Sequence, residues 1–423
     1  LTAEIAVLNR FGVALAADSA VTVGSNKIFN SADKLFALSK IHPVGIMVYG
    51  NAHYMNVPWE TVVKIYRKHL GDQAFPTLKG YCDHFFDYIN TDARFTSPES
   101  EKQMVGNFFS VWLEEFLKNL NLYIANTFTH EPTEQEVQIE MLSATNDLIL
   151  EYNALDYANT FDDSFNTWFN QTYSGYIALI FNDNVNIQTT PQMIDNLVYI
   201  AGSLVCRNYK NDGRSGIVIA GFGEDDIFPS LYGYRIEGIF NGIMKYAEEE
   251  SSEIGAGKSA EIVPFAQQEM VHSFLTGMDP KIESEIHQFL HETVNIYPDF
   301  VESLINQLVA TSDNDQIKAE ITQKGIDLFT EFSQSLQQLK RRNYLIPVIQ
   351  TVASFPKEEL AAMAEALVNL TSIKRKVTNQ AETVGGPTDV AVISKGDGFI
   401  WIKRKHYFSP EFNSQYFNNL VKG

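Results

Sequence analysis

Two apolar stretches at the start of the chain, residues 2–8 and 13–17, flank a short turn at Asn9, Arg10, Phe11 and Gly12. This feature constrains the fold more than any other. The first stretch mixes alternating and β-branched apolar residues, the second is a short apolar run, and the turn between them contains glycine. That combination predicts a β-hairpin. Asp18 closes the second strand among Ala16, Ala17 and Ser19. A carboxylate there is either exposed at a strand end or buried and paired. Lys34 follows a polar, turn-rich stretch (Gly24, Ser25, Asn26, Lys27) and opens a third apolar run, Leu35 to Leu38. The chain therefore has room to return Lys34 to the hairpin, at the end where Thr2 and Asp18 stand.

A threonine, an aspartate and a lysine at one end of a strand pair are the parts of an amide-cleaving site built on a chain terminus. A threonine hydroxyl is a weak nucleophile until a base takes its proton, and a free α-amine with a pKa near ~8 can serve. A charged lysine close by would lower the pKa values of amine and hydroxyl, and a carboxylate would orient and balance the lysine. Taken singly, each residue reads as structural, and Asp18 with Lys34 could be a plain ion pair.

The segment 12–19, followed by Thr22 and Lys34, resembles the start of proteasome β-type subunits and their bacterial relatives, the N-terminal nucleophile hydrolases. The resemblance implies that Thr2 is the catalytic threonine, Asp18 and Lys34 its active-site partners and Thr22 a substrate-binding threonine. Gly50, within Val48, Tyr49, Gly50, Asn51 and Ala52, would line the site and supply the oxyanion N–H. Further segments look like the family's later elements: strand 215–222, its hairpin partner 229–236, a turn at 254–257 leading into a third core helix, a fourth core helix at 356–372, and Gly385-Gly386 before a closing strand at 389–393.

The implied fold is α+β, a four-layer α-β-β-α sandwich of two antiparallel sheets in a single domain, 1–423. Helical insertions are expected at about 71–190 and 279–355. The implied activity is a threonine-type peptidase or amidohydrolase acting on a peptide or small amide once Leu1 is removed and Thr2 exposed. Two alternatives stay open: a catalytically inactive structural or binding subunit, and a small-molecule amidase. Ala256, Ala381 and Val384 stand where the family carries supporting serine, aspartate and serine, which favours the inactive alternative.

Composition sets outer limits. The 423 residues are 45% hydrophobic, which suits a globular protein with a large core. A net charge of −20 argues against nucleic-acid and anionic-membrane partners. Cys82 and Cys206 lie far apart and outside any Cys-x-x-Cys pair, so the expected setting is reducing and cytoplasmic. No apolar run reaches eighteen residues, and no cofactor or metal ligand pattern stands out. A homo-oligomer is possible by analogy.

Helices are also legible. One is expected from Pro58, with Val62, Ile65, Tyr66 and His69 on one face, and another from Pro191 to about Cys206. Met104, Phe108, Trp112, Glu115 and Phe116 share a face in the first insertion, and Thr133 to Glu136 form a capping-box pattern. Phe161, Phe165, Trp168, Phe169 and Tyr173 make an aromatic stripe that reads as helix packing. Gly255 to Ser259 imitates the end of a phosphate-binding loop but lacks its first glycine. The aromatic C-terminus (Trp401, Tyr407, Phe408, Phe412, Tyr416, Phe417) is expected to fold back onto the body or a neighbouring subunit.

Overall fold

The computed structural model describes residues 3–23, 27–308, 314–378 and 385–415. Its strands are β1 (Ala3–Asn9), β2 (Gly12–Ala17), β3 (Val21–Val23), β4 (Lys27–Phe29), β5 (Leu35–Ala37), β6 (Val44–Gly50), β7 (His53–Tyr54), β8 (Val57–Pro58), β9 (Ser215–Gly221), β10 (Ser230–Phe240), β11 (Ile243–Glu253), β12 (Ala260–Ala266), β13 (Asp389–Ser394) and β14 (Gly398–Lys403). Its α-helices are α1 (Trp59–Leu70), α2 (Leu78–Thr91), α3 (Pro98–Thr127), α4 (Glu134–Asn153), α5 (Asp163–Asn184), α6 (Pro191–Cys206), α7 (Glu269–Thr276), α8 (Pro280–Leu308), α9 (Asn314–Lys340), α10 (Ile346–Val352) and α11 (Lys357–Val377). A π-helical turn, Arg341–Leu345, joins α9 to α10. The protein is therefore α+β.

The chain forms two compact units. The first comprises Leu1–Ala32, Ile254–Val392 and Ile400–Gly423; the second comprises Asp33–Glu253 and Ile393–Phe399. In the first, the sheet runs β12-β1-β2-β13-β14. β1 and β2 pair antiparallel from Glu4↔Ala17 to Asn9↔Gly12, which leaves Arg10 and Phe11 as a two-residue turn. Ile5, Val7, Ala14 and Ala16 pack on Leu360, Ala364, Leu367 and Val368 of α11, giving one sheet layer and one helix layer. Their alternates Ala6, Leu8, Val13 and Leu15 are equally buried. A strand with no solvent face reads as a continuous apolar run, as this one does.

Asn9 ties that hairpin to the helices. Its Nδ2 donates to the carbonyls of Val352 and Phe355, 2.9 Å each, and its Oδ1 accepts from the Phe11 N–H at 2.9 Å. Two carbonyls left over at the end of α10 are thereby satisfied. The turn at 254–257 closes with Gly255 N–H donating to the Lys258 carbonyl at 2.9 Å. It leads into β12, which pairs with β1, and not directly into a helix; only Gln267 and Gln268 then separate β12 from α7.

In the second unit the sheet runs β11-β10-β9-β6-β5 and every neighbouring pair is antiparallel. Trp59, Val62, Val63, Tyr66 and Leu70 of α1, with Phe85, Phe86 and Ile89 of α2, cover Ile46, Ile217, Ile219 and Tyr234 of that sheet. His69, expected on the same face of α1, is exposed. Helices α3 to α6 enclose a separate core in which Phe165, Phe169 and Tyr173 of α5 meet Phe109, Trp112, Leu197 and Leu204. Thr133 and Glu136 make the reciprocal capping box at the start of α4.

Several large apolar side chains stay exposed among the described residues. Phe289, Ile296 and Phe300 of α8 are exposed. Of the C-terminal aromatics expected to fold back onto the body or a neighbouring subunit, Trp401 and Phe408 are half-buried and Tyr407 (95%) and Phe412 (88%) are exposed; Tyr416 and Phe417 lie outside the described residues. No helix among the described residues is long and apolar enough to cross a membrane.

Candidate functional site

The hairpin explains where Asp18 goes. Antiparallel pairing puts the end of β2 opposite the start of β1, and the Asp18 N–H donates to the Ala3 carbonyl at 3.1 Å. The side chain, 1% exposed, turns inward. Its Oδ1 accepts from the Ala3 N–H at 3.2 Å, and its Oδ2 from the N–H groups of Ala20 at 3.2 Å and Gly385 at 2.9 Å. Ser19 extends the junction: its N–H donates to the Gly385 carbonyl at 3.1 Å and its hydroxyl to the Pro387 carbonyl. A buried carboxylate thus grips the backbone at Ala3, the residue after Thr2. Thr2 itself lies outside the described residues, as do Ala381 and Val384.

Lys34 and Gly50 belong to the second unit and share one corner of its sheet. Lys34 immediately precedes β5 and is 6% exposed; its carbonyl accepts from the Val48 N–H at 2.8 Å. Gly50 ends β6 two residues later, with φ +78°. A Cβ there would run into the Arg214 carbonyl, which accepts from the Asn51 N–H at 3.0 Å. The glycine is thus required by backbone conformation and by a close approach. Thr22 lies in β3, its backbone opposite Ile28; its side chain is outside the described residues. Ala256 sits in the tight turn closed by Gly255 and Lys258.

A buried ionic cluster in the second unit escaped the sequence reading. Glu237, fully buried, accepts from Arg235 on Oε1 and, on Oε2, from Lys245 at 2.9 Å and Asn211 at 2.6 Å. Lys245 also donates to the carbonyls of Leu204 and Tyr209, both at 2.8 Å. Arg235 Nε reaches Glu249 at 3.1 Å, and Glu249 also binds Lys210 at 2.8 Å. Burial opposes ionisation of Glu249, but Lys210 and Arg235 outweigh it and hold the carboxyl below its usual range. Donors and acceptors are matched within the protein, so the cluster acts as a brace between the end of α6 and strands β10 and β11. The available signal was Arg235 and Glu237 two residues apart, on one face of a strand.

No family model matches the chain. No curated protein matches it either. Solved structures do, at a distance. An Anbu (ancestral β-subunit) chain from Yersinia bercovieri is 9% identical with a TM-score of 0.29, covering 99% of this chain and 95% of that one. An Anbu (Gly-1) mutant from Hyphomicrobium sp. strain MC1 is 12% identical with a TM-score of 0.28, covering 99% and 92%. The Anbu complex from Pseudomonas aeruginosa, described as a helical assembly, is 8% identical with a TM-score of 0.31, covering 99% and 94%. Likeness this slight does not establish a shared fold. The expected place among proteasome β-type subunits and N-terminal nucleophile hydrolases is accordingly corrected: the neighbours found are Anbu chains, and no match assigns this chain to a family. The short motifs that carried the expectation are hairpin and turn chemistry that many β-rich chains share.

Proposed function

We propose that the protein hydrolyses amide bonds with Thr2 as nucleophile, once Leu1 is removed and the Thr2 α-amine is free. The supporting observation is the Asp18 carboxylate, buried and bound to the backbone N–H of Ala3, one residue from Thr2. That contact fixes the start of β1.

In the reaction, the α-amine of Thr2 takes the hydroxyl proton as Oγ bonds to the substrate carbonyl carbon. The N–H at Gly50 donates to the oxyanion. The tetrahedral intermediate collapses, the C–N bond breaks, and the leaving amine takes the proton. Water then cleaves the Thr2 ester and restores the hydroxyl. Lys34 lowers the pKa of the amine so that it is neutral at working pH, Asp18 balances the cation, and Thr22 holds the substrate backbone. Only Asp33 separates Lys34 from Ala32, whose N–H donates to the Ser19 carbonyl at 3.1 Å.

Intact-mass analysis of purified protein, paired with peptide hydrolysis by wild type, Thr2→Ala and Thr2→Ser, tests this. The proposal expects a chain beginning at Thr2, activity lost by at least ~10³-fold in Thr2→Ala, as for removal of a nucleophile, and partial activity in Thr2→Ser. Hydrolysis that survives Thr2→Ala, or folded protein that keeps Leu1 and cleaves nothing, overturns it.

A further inference from the structure

Helices α3 and α4 leave a groove between them that no step of the proposed hydrolysis uses. It encloses about 580 Å³, within the range of small-ligand sites. Its floor is aromatic. Trp112 and Phe116 stack at 5.0 Å, Tyr152 and Tyr209 meet edge-on at 5.4 Å, and the Trp112 Nε1–H donates to the Tyr152 hydroxyl at 2.8 Å. Tyr123, half exposed, stands at one end.

The rim is acidic. Glu115 comes from α3, and Glu140, Asp147 and Glu151 from α4. Among the described residues lining the groove, none is lysine, arginine or histidine. None of these four carboxylates makes a salt bridge, whereas Glu60, Glu248 and Glu365 each find a lysine elsewhere on the surface. Lys210, beside Tyr209 in the chain, is held by Glu249. Asp147 and Glu151 are four residues apart on one helix, a like-charge pair that repels in the free protein. The field reaches the floor: burial raises the Tyr209 pKa, and Glu115, Asp212 and Glu151 push it further up.

An aromatic floor under unpaired carboxylates suits one kind of occupant. A cation is drawn to the ring faces and to the rim together, and an apolar body fills the floor. We infer that the α3–α4 groove binds a small organic cation with an apolar body, of the alkyl- or arylammonium class. An anionic ligand would meet four like charges, and a neutral one would leave them unused.

The test is calorimetric titration of the full chain with 4-phenylbutylammonium and, as a neutral isostere, 4-phenylbutanol, with Trp112 emission recorded in parallel and Trp112→Phe used to assign it. The amine is expected to bind at least ~10-fold more tightly than the alcohol, and the advantage should shrink at high salt. Asp147→Asn combined with Glu151→Gln should weaken amine binding ~5- to 30-fold and leave alcohol binding unchanged. Both positions are exposed, and unchanged circular dichroism would certify the fold. Equal affinity for amine and alcohol, amine binding indifferent to the double substitution, or a long basic peptide binding where the amine does not, each overturns the inference.

Discussion

Removing the Asp18 carboxylate tests the hairpin junction most directly. In Asp18→Ala, the N–H groups of Ala3, Ala20 and Gly385 lose an acceptor in a site that is 1% exposed. An orphaned buried donor costs about 1–3 kcal/mol, so three would cost up to ~9 if nothing relaxed; entry of water brings the expected loss to about 3–6 kcal/mol. Asp18→Asn is intermediate. Its amide oxygen can keep two donors on the Oδ2 side, but its NH2 then faces the Ala3 N–H, and the retained bonds lose their charge assistance. About 2–4 kcal/mol is expected. Hydrogen exchange read at Ala3, Ala20 and Gly385 is the suitable assay, because it reports on the unit that carries them, and urea unfolding supplies the global value. Alanine should accelerate exchange at all three amides, and asparagine most strongly at Ala3. A loss below ~1 kcal/mol in Asp18→Ala, or unchanged exchange at Gly385, would refute the claim that this carboxylate joins β1 to the segment before β13.

Two further predictions concern the second unit. Glu237→Gln leaves Arg235 and Lys245 buried beside a neutral group and should cost about 3–5 kcal/mol in urea unfolding, whereas replacing all three by apolar residues of similar volume should be far less costly. Burial pushes the Cys82 thiol up to about 12 from 9.0. The folded state therefore holds the proton through that interval while the unfolded chain releases it, so this contribution to stability is intact below pH ~9 and declines toward pH ~12. Between pH 9 and 10.5 wild type should lose up to ~2 kcal/mol more than Cys82→Ala, and the native thiol should resist disulfide reagents at neutral pH. A parallel decline in both proteins would defeat the assignment.

Local signals carried much of the secondary structure. The turn glycine and flanking apolar runs give β1 and β2; Pro191 and the apolar stripe give α6; Thr133 and Glu136 give the start of α4. Each depends on residues within a few positions of one another. The turn at 254–257 was less legible, because a tight turn fixes a reversal of the chain and leaves the next element undecided. Pairing with β1 makes the following segment a strand.

What the sequence determined alone is the hairpin, the helix starts and the presence of a carboxylate at the end of β2. What only the tertiary structure decided is that carboxylate's partners, since Gly385 reaches it from the far end of the chain. The same holds for the pairing of Glu237 with Lys245 across two strands, and for the acidic, aromatic groove between α3 and α4. The physical reason is common to all three. Periodicity and capping act over one or two turns of chain, while desolvation and charge pairing depend on which distant segments exclude water from a group, and no short window of sequence encodes that.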